Sequence, residues 1–213
     1  MIRFWGQDKY SQRELIGYEL FLREYNDGQW RFPADFGKFT ASEFAQTLVD
    51  TIGALPAGIQ LVSINLDQPQ FIDPQYINQL GVAQRACPDT LIIVELTERP
   101  YNVPIAQLVT AAAAYQDLGL WVCLDDVGTG ANQVDLVEAL APHVKEYKFA
   151  LQNFHNKRDF VTVVTRNSNS DAKKLTSTAC SSSSKASKPR LTSRWRKTTT
   201  QRLCRATTTG VRT

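Results

Sequence analysis

The sequence predicts an α/β fold in which parallel strands alternate with helices, and three observations support this prediction. Short, continuous apolar runs, typical of strands buried on both faces, recur along residues 1–156. Stretches with apolar residues at helical spacing separate these runs. Polar residues end the runs at regular intervals, with 30 residues from Asn65 to Glu95, 30 from Glu95 to Asp125 and 23 from Asp125 to Lys148. Each interval is close to one βα repeat, so the sequence favours a TIM-like (β/α) barrel over an open sheet.

The apolar runs and the segments between them define the predicted elements. Five strands are expected at residues 15–24, 60–67, 90–98, 118–126 and 144–151. Four helices are expected at residues 36–55, 73–86, 104–118 and 133–140. Pro56, Gly119 and Pro142 follow three of these helices and are typical of helix ends.

The composition changes abruptly along the chain. Residues 1–156 contain 10 Lys and Arg against 19 Asp and Glu, whereas residues 157–213 contain 14 against 2. From Thr165 onward, Ser and Thr supply 20 of 49 residues. Such a segment buries too little apolar surface to offset its chain entropy, so we expect residues 161–213 to be a disordered basic tail after a partial domain at 1–160.

The polar residues at the strand ends predict a metal site. Because parallel strands end on one face, we expect Asn65, Glu95, Asp125, Asp126 and Lys148 to converge there. Clustered carboxylates repel one another unless cations neutralise them, and oxygen ligands suit Mg²⁺ or Mn²⁺. The adjacent Asp125 and Asp126 could bridge two metal ions, and Lys148 could stabilise an attacking water or a phosphorane-like transition state. The pattern indicates metal-dependent phosphodiester hydrolysis.

Blander interpretations of single residues stay open at this stage. Asp125 and Asp126 precede Val-Gly-Thr-Gly, and that composition is typical of a turn. Asn65 could be a core amide with satisfied hydrogen bonds. Glu95 is harder to explain in this way, because it lies inside an apolar run, where an unpaired glutamate is rare. Only the regular spacing of the whole set favours the functional interpretation.

Five segments resemble, in order and separation, the motifs of the EAL domain family: GYELFLR, SINLD, ELTE, LDDVGTG and YKFA. The resemblance covers about residues 14–160. It implies a TIM-like barrel and hydrolysis of cyclic di-GMP to linear pGpG with Mg²⁺ or Mn²⁺ in a two-metal site. It also implies pairing of two domains through helices near the loop at residues 127–133.

The same resemblance assigns roles to eight residues. Metal ligands are expected at Glu19, Asn65, Glu95, Asp125 and Asp126. Arg23 is expected to contact a phosphate of the dinucleotide, and Lys148 corresponds to the catalytic lysine. Glu98 is similar to the glutamate that steadies the loop after the Asp pair, and Asp126 is the second aspartate of the pair that bridges the metals.

The sequence also departs from the family pattern. Phe21 and Val127 are apolar replacements, but Ala150 stands where the family has an aspartate near the catalytic lysine. No EGVE-like or Gln-Gly segment follows residue 160, although the family completes its site with such motifs. These departures argue against turnover by this chain. They leave open a degenerate EAL module that binds cyclic di-GMP or a protein partner without hydrolysis.

The break near Thr165 has two interpretations. One hypothesis is translation out of frame, which the other reading frames of the gene would test. The alternative is a genuine basic tail that binds acidic partners. Trp195 is its one aromatic residue from Thr165 onward, so specific nucleic-acid binding is not expected. We find no signal peptide and no run of 18 apolar residues, and we expect a cytoplasmic protein without membrane insertion.

Overall fold

The computed structural model describes residues 1–149. Within them one sheet contains seven strands: β1 (Ile2–Ser11), β2 (Glu14–Asn26), β3 (Gln29–Arg31), β4 (Leu61–Leu66), β5 (Leu91–Leu96), β6 (Trp121–Leu124) and β7 (Val144–Tyr147). The same residues form five helices: α1 (Ala41–Gly53), α2 (Gln68–Ile72), α3 (Pro74–Ala86), α4 (Ile105–Asp117) and α5 (Val134–Leu140).

The sheet is mainly parallel. Its strand order is β1-β2-β4-β5-β6-β7, and β3 pairs with β2 beside this path. Strands β2, β4, β5, β6 and β7 pair in parallel, whereas β1 and β3 run antiparallel to β2. This topology confirms the predicted α/β fold, an incomplete TIM-like barrel over the described residues. The predicted boundary at residue 160 and the predicted disordered tail lie outside them.

All five predicted strands and four predicted helices are present, but β1, β3 and α2 were not predicted. Strand β1 buries Ile2 and Phe4, whereas Arg3 between them and Trp5 after them are only partly buried. This alternation with a period of two residues is visible in the sequence. Strand β3 follows β2 through a two-residue turn at Asp27 and Gly28, both with positive φ (49° and 76°). An Asp-Gly pair is a strong signal for such a hairpin.

Local sequence explains where the helices begin and end. The Thr40 side chain caps α1 by accepting a hydrogen bond from the Glu43 backbone amide at 3.1 Å. Asp73 caps α3, whose first residue is Pro74. Gly119 follows α4 with a φ of 84°, a conformation that glycine adopts without strain. No helix in residues 1–149 is both long and apolar enough to cross a membrane.

The parallel strands have two different faces. One face carries the apolar core that packs against the helices, including Val62 and Ile64 of β4 and Val94 of β5. Because side chains alternate along a strand, the residues between them point to the opposite face. That opposite face carries Asn65 of β4 and Glu95 of β5, so the sheet separates the core from a polar interior.

We expect Phe44→Ala to lower the free energy of unfolding by about 3–5 kcal/mol, because it opens a cavity in the core. Phe44 is 2% exposed and packs edge-on against Phe4 and Tyr76, with ring centroids 5.1 and 5.6 Å apart. Urea unfolding followed by circular dichroism measures the loss. Val82→Ala, at a position 50% exposed on α3, is the control and should cost less than about 0.5 kcal/mol. Equal losses for the two variants would contradict this assignment of the core.

Candidate functional site

Three carboxylates, two in strands and one directly after a strand, converge on one ammonium group. The Lys148 Nζ lies 3.2 Å from Glu19 Oε2, 2.8 Å from Glu95 Oε2 and 3.1 Å from Asp125 Oδ1. Glu19 lies in β2 and Glu95 in β5, while Asp125 and Lys148 follow β6 and β7 directly. We call Glu19, Glu95, Asp125 and Lys148 the carboxylate cluster. The structure therefore brings four of the predicted site residues to one point.

A second ammonium group reaches the cluster from strand β1. The Lys9 Nζ lies 2.9 Å from Glu95 Oε1 and 3.9 Å from Glu146 Oε2. Glu95 has no exposed side-chain surface, and each of its two oxygens contacts one lysine. The sequence did not predict Lys9, since it lies in a polar segment that no pattern distinguishes.

The electrostatics of the cluster follow from burial and from these ion pairs. Burial raises the pKa of Glu95, but attraction to Lys9 and Lys148 outweighs burial, and the pKa ends below its ordinary value. Burial and repulsion from Glu95 raise the pKa of Glu19, and Lys148 offsets this only in part. Burial opposes the charge of Lys148, yet attraction to Glu95, Asp125 and Glu19 raises its pKa. The cluster thus holds negative charge that the lysines compensate.

Asn65 lies beside Glu95, as the spacing predicted. The two residues are partners in the parallel pairing of β4 and β5. The Asn65 Nδ2 donates a hydrogen bond to Glu19 Oε1 at 3.2 Å, which orients that carboxylate. The next strand is displaced, because Cys123 rather than Asp125 pairs with Glu95. Asp125 lies two residues further along and contacts the cluster through Lys148.

Asp126 and Glu98 belong to the loop side of the site. Asp126 has a φ of 45°, and burial together with the charges of Asp125 and Glu98 raises its pKa. The Glu98 carbonyl oxygen accepts a hydrogen bond from the Ala131 amide at 2.7 Å. Glu98 thus contacts the loop at residues 127–133 through its backbone.

A cavity of about 520 Å³ adjoins the cluster. Asn65 and Asp125 line its floor, and apolar and charged side chains line the rest, among them Phe21, Phe32 and Arg99. The cavity therefore offers apolar surface beside charged groups, as ligand sites commonly do.

Arg23 lies apart from the carboxylates, at the aromatic side of the cavity. Its guanidinium carbon is 3.2 Å from the ring centroid of Phe32 and 5.2 Å from that of Trp5. Phe32 itself lines the cavity. The aromatic rings hold the guanidinium by cation–π contact, and Arg23 therefore lies behind the cavity wall that Phe32 forms.

Asp67 is a further cavity residue that the sequence analysis did not single out. Its carboxylate accepts hydrogen bonds from Thr97 Oγ1 at 2.6 Å and from the Tyr101 hydroxyl at 2.8 Å, and Arg99 Nη1 lies 3.4 Å away. The segment SINLD places Asp67 two residues after Asn65, directly after the end of β4, and this position is the signal that could have found it.

The donor chemistry of the cluster fits a hard divalent cation. Carboxylate and amide oxygens are the ligands that Mg²⁺ and Mn²⁺ prefer, and three carboxylates already surround one positively charged atom, the Lys148 Nζ. Residues 1–149 contain no group of three His, Cys, Asp or Glu side chains arranged to hold a metal. The Lys148 Nζ lies between the three carboxylates, so a metal ion at that point would have to replace it.

Comparison with solved structures shows what this chain is similar to. BlrP1 of Klebsiella pneumoniae, in complex with calcium and cyclic di-GMP, is 18% identical with a TM-score of 0.61, over 78% of this chain and 45% of that chain. The EAL domain of FimX from Pseudomonas aeruginosa, bound to cyclic di-GMP, is 19% identical with a TM-score of 0.59, over 79% and 76%. YkuI of Bacillus subtilis, with cyclic di-GMP and calcium, is 17% identical with a TM-score of 0.58, over 78% and 46%.

At these low identities, the TM-scores show that the chains share a fold. The chain spans less than half the length of the BlrP1 and YkuI chains. Comparison with curated protein sequences finds no match. The family comparison matches the EAL domain over residues 9–159, which is well over half of the sequence, and this chain therefore belongs to the EAL domain family.

Proposed function

We propose that this chain is an EAL-type phosphodiesterase that hydrolyses cyclic di-GMP to linear pGpG with Mg²⁺ or Mn²⁺. One observation carries the proposal: Glu19, Glu95 and Asp125 surround a single cation position, at 3.2, 2.8 and 3.1 Å from the Lys148 Nζ, next to a cavity that Asp125 lines. Membership in the family and the cyclic di-GMP complexes of similar structures support it.

The cavity suits a dinucleotide with negative phosphates and aromatic bases. We propose that Arg23, which packs on the cavity residue Phe32, contacts a phosphate, because a guanidinium binds phosphate oxygens in a fixed geometry. Phe32 and Phe21 offer apolar surface on which a base can stack. Anionic substrate and anionic carboxylates would repel each other, so the proposal requires a cation between them.

The metal ligands in this proposal are Glu19, Asn65, Glu95, Asp125 and Asp126. A divalent cation bound there would polarise the phosphate and lower the pKa of a water molecule. Lys148 turns from the carboxylates toward the reacting phosphate and stabilises its developing charge. Glu98 keeps the loop at residues 127–133 in place beside Asp126. The water oxygen bonds to phosphorus, the bond from phosphorus to the 3′ oxygen breaks, and that oxygen takes a proton.

Binding without hydrolysis is the second candidate function. The departures at Ala150 and in the late motifs favour it, and so does one observation of the structure. Lys148 and Lys9 already contact the carboxylates, so two of the three negative charges of the cluster are compensated without a metal ion. A site of this kind could bind cyclic di-GMP through the cavity and Arg23 alone.

We expect Asp125→Asn to lower the turnover of cyclic di-GMP by about 100-fold or more, because the variant loses a charged metal ligand. Chromatography of pGpG formed by the full chain in Mn²⁺ measures the rate. Asp117→Asn, at an exposed position at the end of α4, is the matched control and should keep the rate of the original chain. Turnover by Asp125→Asn equal to that of the control would refute the proposed metal site.

We expect Arg23→Met to weaken binding of cyclic di-GMP about 10- to 100-fold, because a charged hydrogen bond to phosphate is lost. Isothermal titration calorimetry on the full chain measures the dissociation constant. Arg85→Met, exposed on α3, removes the same charge far from the cavity and should leave affinity unchanged. If both variants bind equally well, Arg23 does not contact the ligand.

Removing divalent ions separates the two candidate functions. For the phosphodiesterase we expect pGpG formation in Mn²⁺ and none in EDTA, because EDTA removes the cation that polarises the phosphate and activates the water. Calorimetry in EDTA, run in parallel, detects binding that needs no metal. Binding in EDTA together with no turnover in Mn²⁺ would assign the second function instead.

A further inference from the structure

Lys9 is a charged residue of the polar interior to which neither the motifs nor the proposed reaction gives a role. Its side chain is 17% exposed, and its Nζ lies 2.9 Å from Glu95 Oε1 and 3.9 Å from Glu146 Oε2. Its ammonium group therefore lies against a carboxylate that has no exposed side-chain surface.

The pairing of strand β1 explains how Lys9 reaches Glu95. Lys9 pairs with Gly17, and paired residues of antiparallel strands point to the same face. Gly17 has no side chain to obstruct that face, and a Cβ there would overlap the Leu61 carbonyl oxygen. Gly17 also pairs with Leu61, the first residue of β4. Lys9 thus approaches from the N-terminal ends of the parallel strands.

The two lysines contact Glu95 from opposite directions. Lys148 follows the C-terminal end of β7. Its Nζ lies 2.8 Å from Glu95 Oε2, and its side chain is 28% exposed. Lys9 contacts Glu95 Oε1 and is 17% exposed. Neither lysine lines the cavity, but Lys148 contacts Asp125, which does line it. A cation that enters through the cavity and binds Asp125 would therefore displace Lys148 and leave Lys9 in place.

We propose that Lys9 is a permanent counter-ion of Glu95. Glu95 contacts cations at two positions, the Lys9 Nζ and the Lys148 Nζ, and because Lys9 keeps the first position the chain binds one divalent ion instead of two. A second divalent ion on Glu95 would meet the Lys9 ammonium on the same carboxylate and be repelled. This inference rests on the metal site of the proposed function.

The test counts Mn²⁺ ions bound to the full chain by calorimetry and by the electron paramagnetic resonance signal of free Mn²⁺. The original chain should bind one ion. Lys9→Met should bind a second ion, or bind the first at least about tenfold more tightly, because the competing charge is gone. Lys9→Gln, which keeps a polar end group without the charge, should change in the same direction. The melting temperature of Lys9→Met should rise more on adding Mn²⁺ than that of the original chain.

Lys38→Met is the matched control, because it removes one lysine that pairs with a glutamate away from the cluster. Lys38 Nζ lies 2.6 Å from Glu24 Oε1, and its side chain is 40% exposed. This variant should bind Mn²⁺ as the original chain does.

The outcomes distinguish the inference from the function on which it rests. Two Mn²⁺ ions on the original chain would overturn the role of Lys9, whether or not the variants fold, and would leave the proposed phosphodiesterase intact. Unchanged number and affinity in Lys9→Met and Lys9→Gln would overturn it in the same way. Absence of Mn²⁺ binding in the original chain and in every variant would overturn the proposed metal site itself, and the role of Lys9 with it.

Discussion

The structure depends on the compensation of buried negative charge. Glu95 has no exposed side-chain surface, and Glu19 and Asp125 lie next to it around one nitrogen atom. Leaving such carboxylates unpaired would cost several kcal/mol each, so positive charge must come from somewhere. In the described residues it comes from Lys148 at one end of the strands and Lys9 at the other. The same requirement is the reason for proposing a cation site at this position.

The sequence predicted the polar interior well where strand pairing is regular. Asn65 and Glu95 are 30 residues apart and are direct partners in the sheet, so equal spacing did place them side by side. The next interval of 30 residues leads to Asp125, which lies two positions beyond the partner of Glu95. Spacing along the chain determines which face of the sheet a residue occupies. The stagger of neighbouring strands determines how far along the strand direction the residue lies. The long side chain of Lys148 bridges that difference.

Other features of the site could not be predicted from sequence for a physical reason. The importance of Lys9 arises from the register of an antiparallel hairpin, and one residue of slip would turn its side chain to the other face. Arg23 was expected at the dinucleotide because of its motif, but its position is set by Phe32 and Trp5, which belong to strands or loops that no motif described. The apolar periodicity predicts elements, whereas these contacts depend on how three elements meet.

The antiparallel strand β1 has a consequence for dissecting the domain. The family match begins at residue 9, whereas β1 begins at Ile2 and pairs with β2 along its whole length. Trimming the protein to the matched segment would strip most of β1 from the sheet and expose the backbone groups of β2 as a free edge, which invites association with other chains. It would also remove the part of the hairpin that holds Lys9 in register. A boundary chosen by sequence similarity would thus weaken the contact between Lys9 and Glu95 and leave part of the buried negative charge uncompensated.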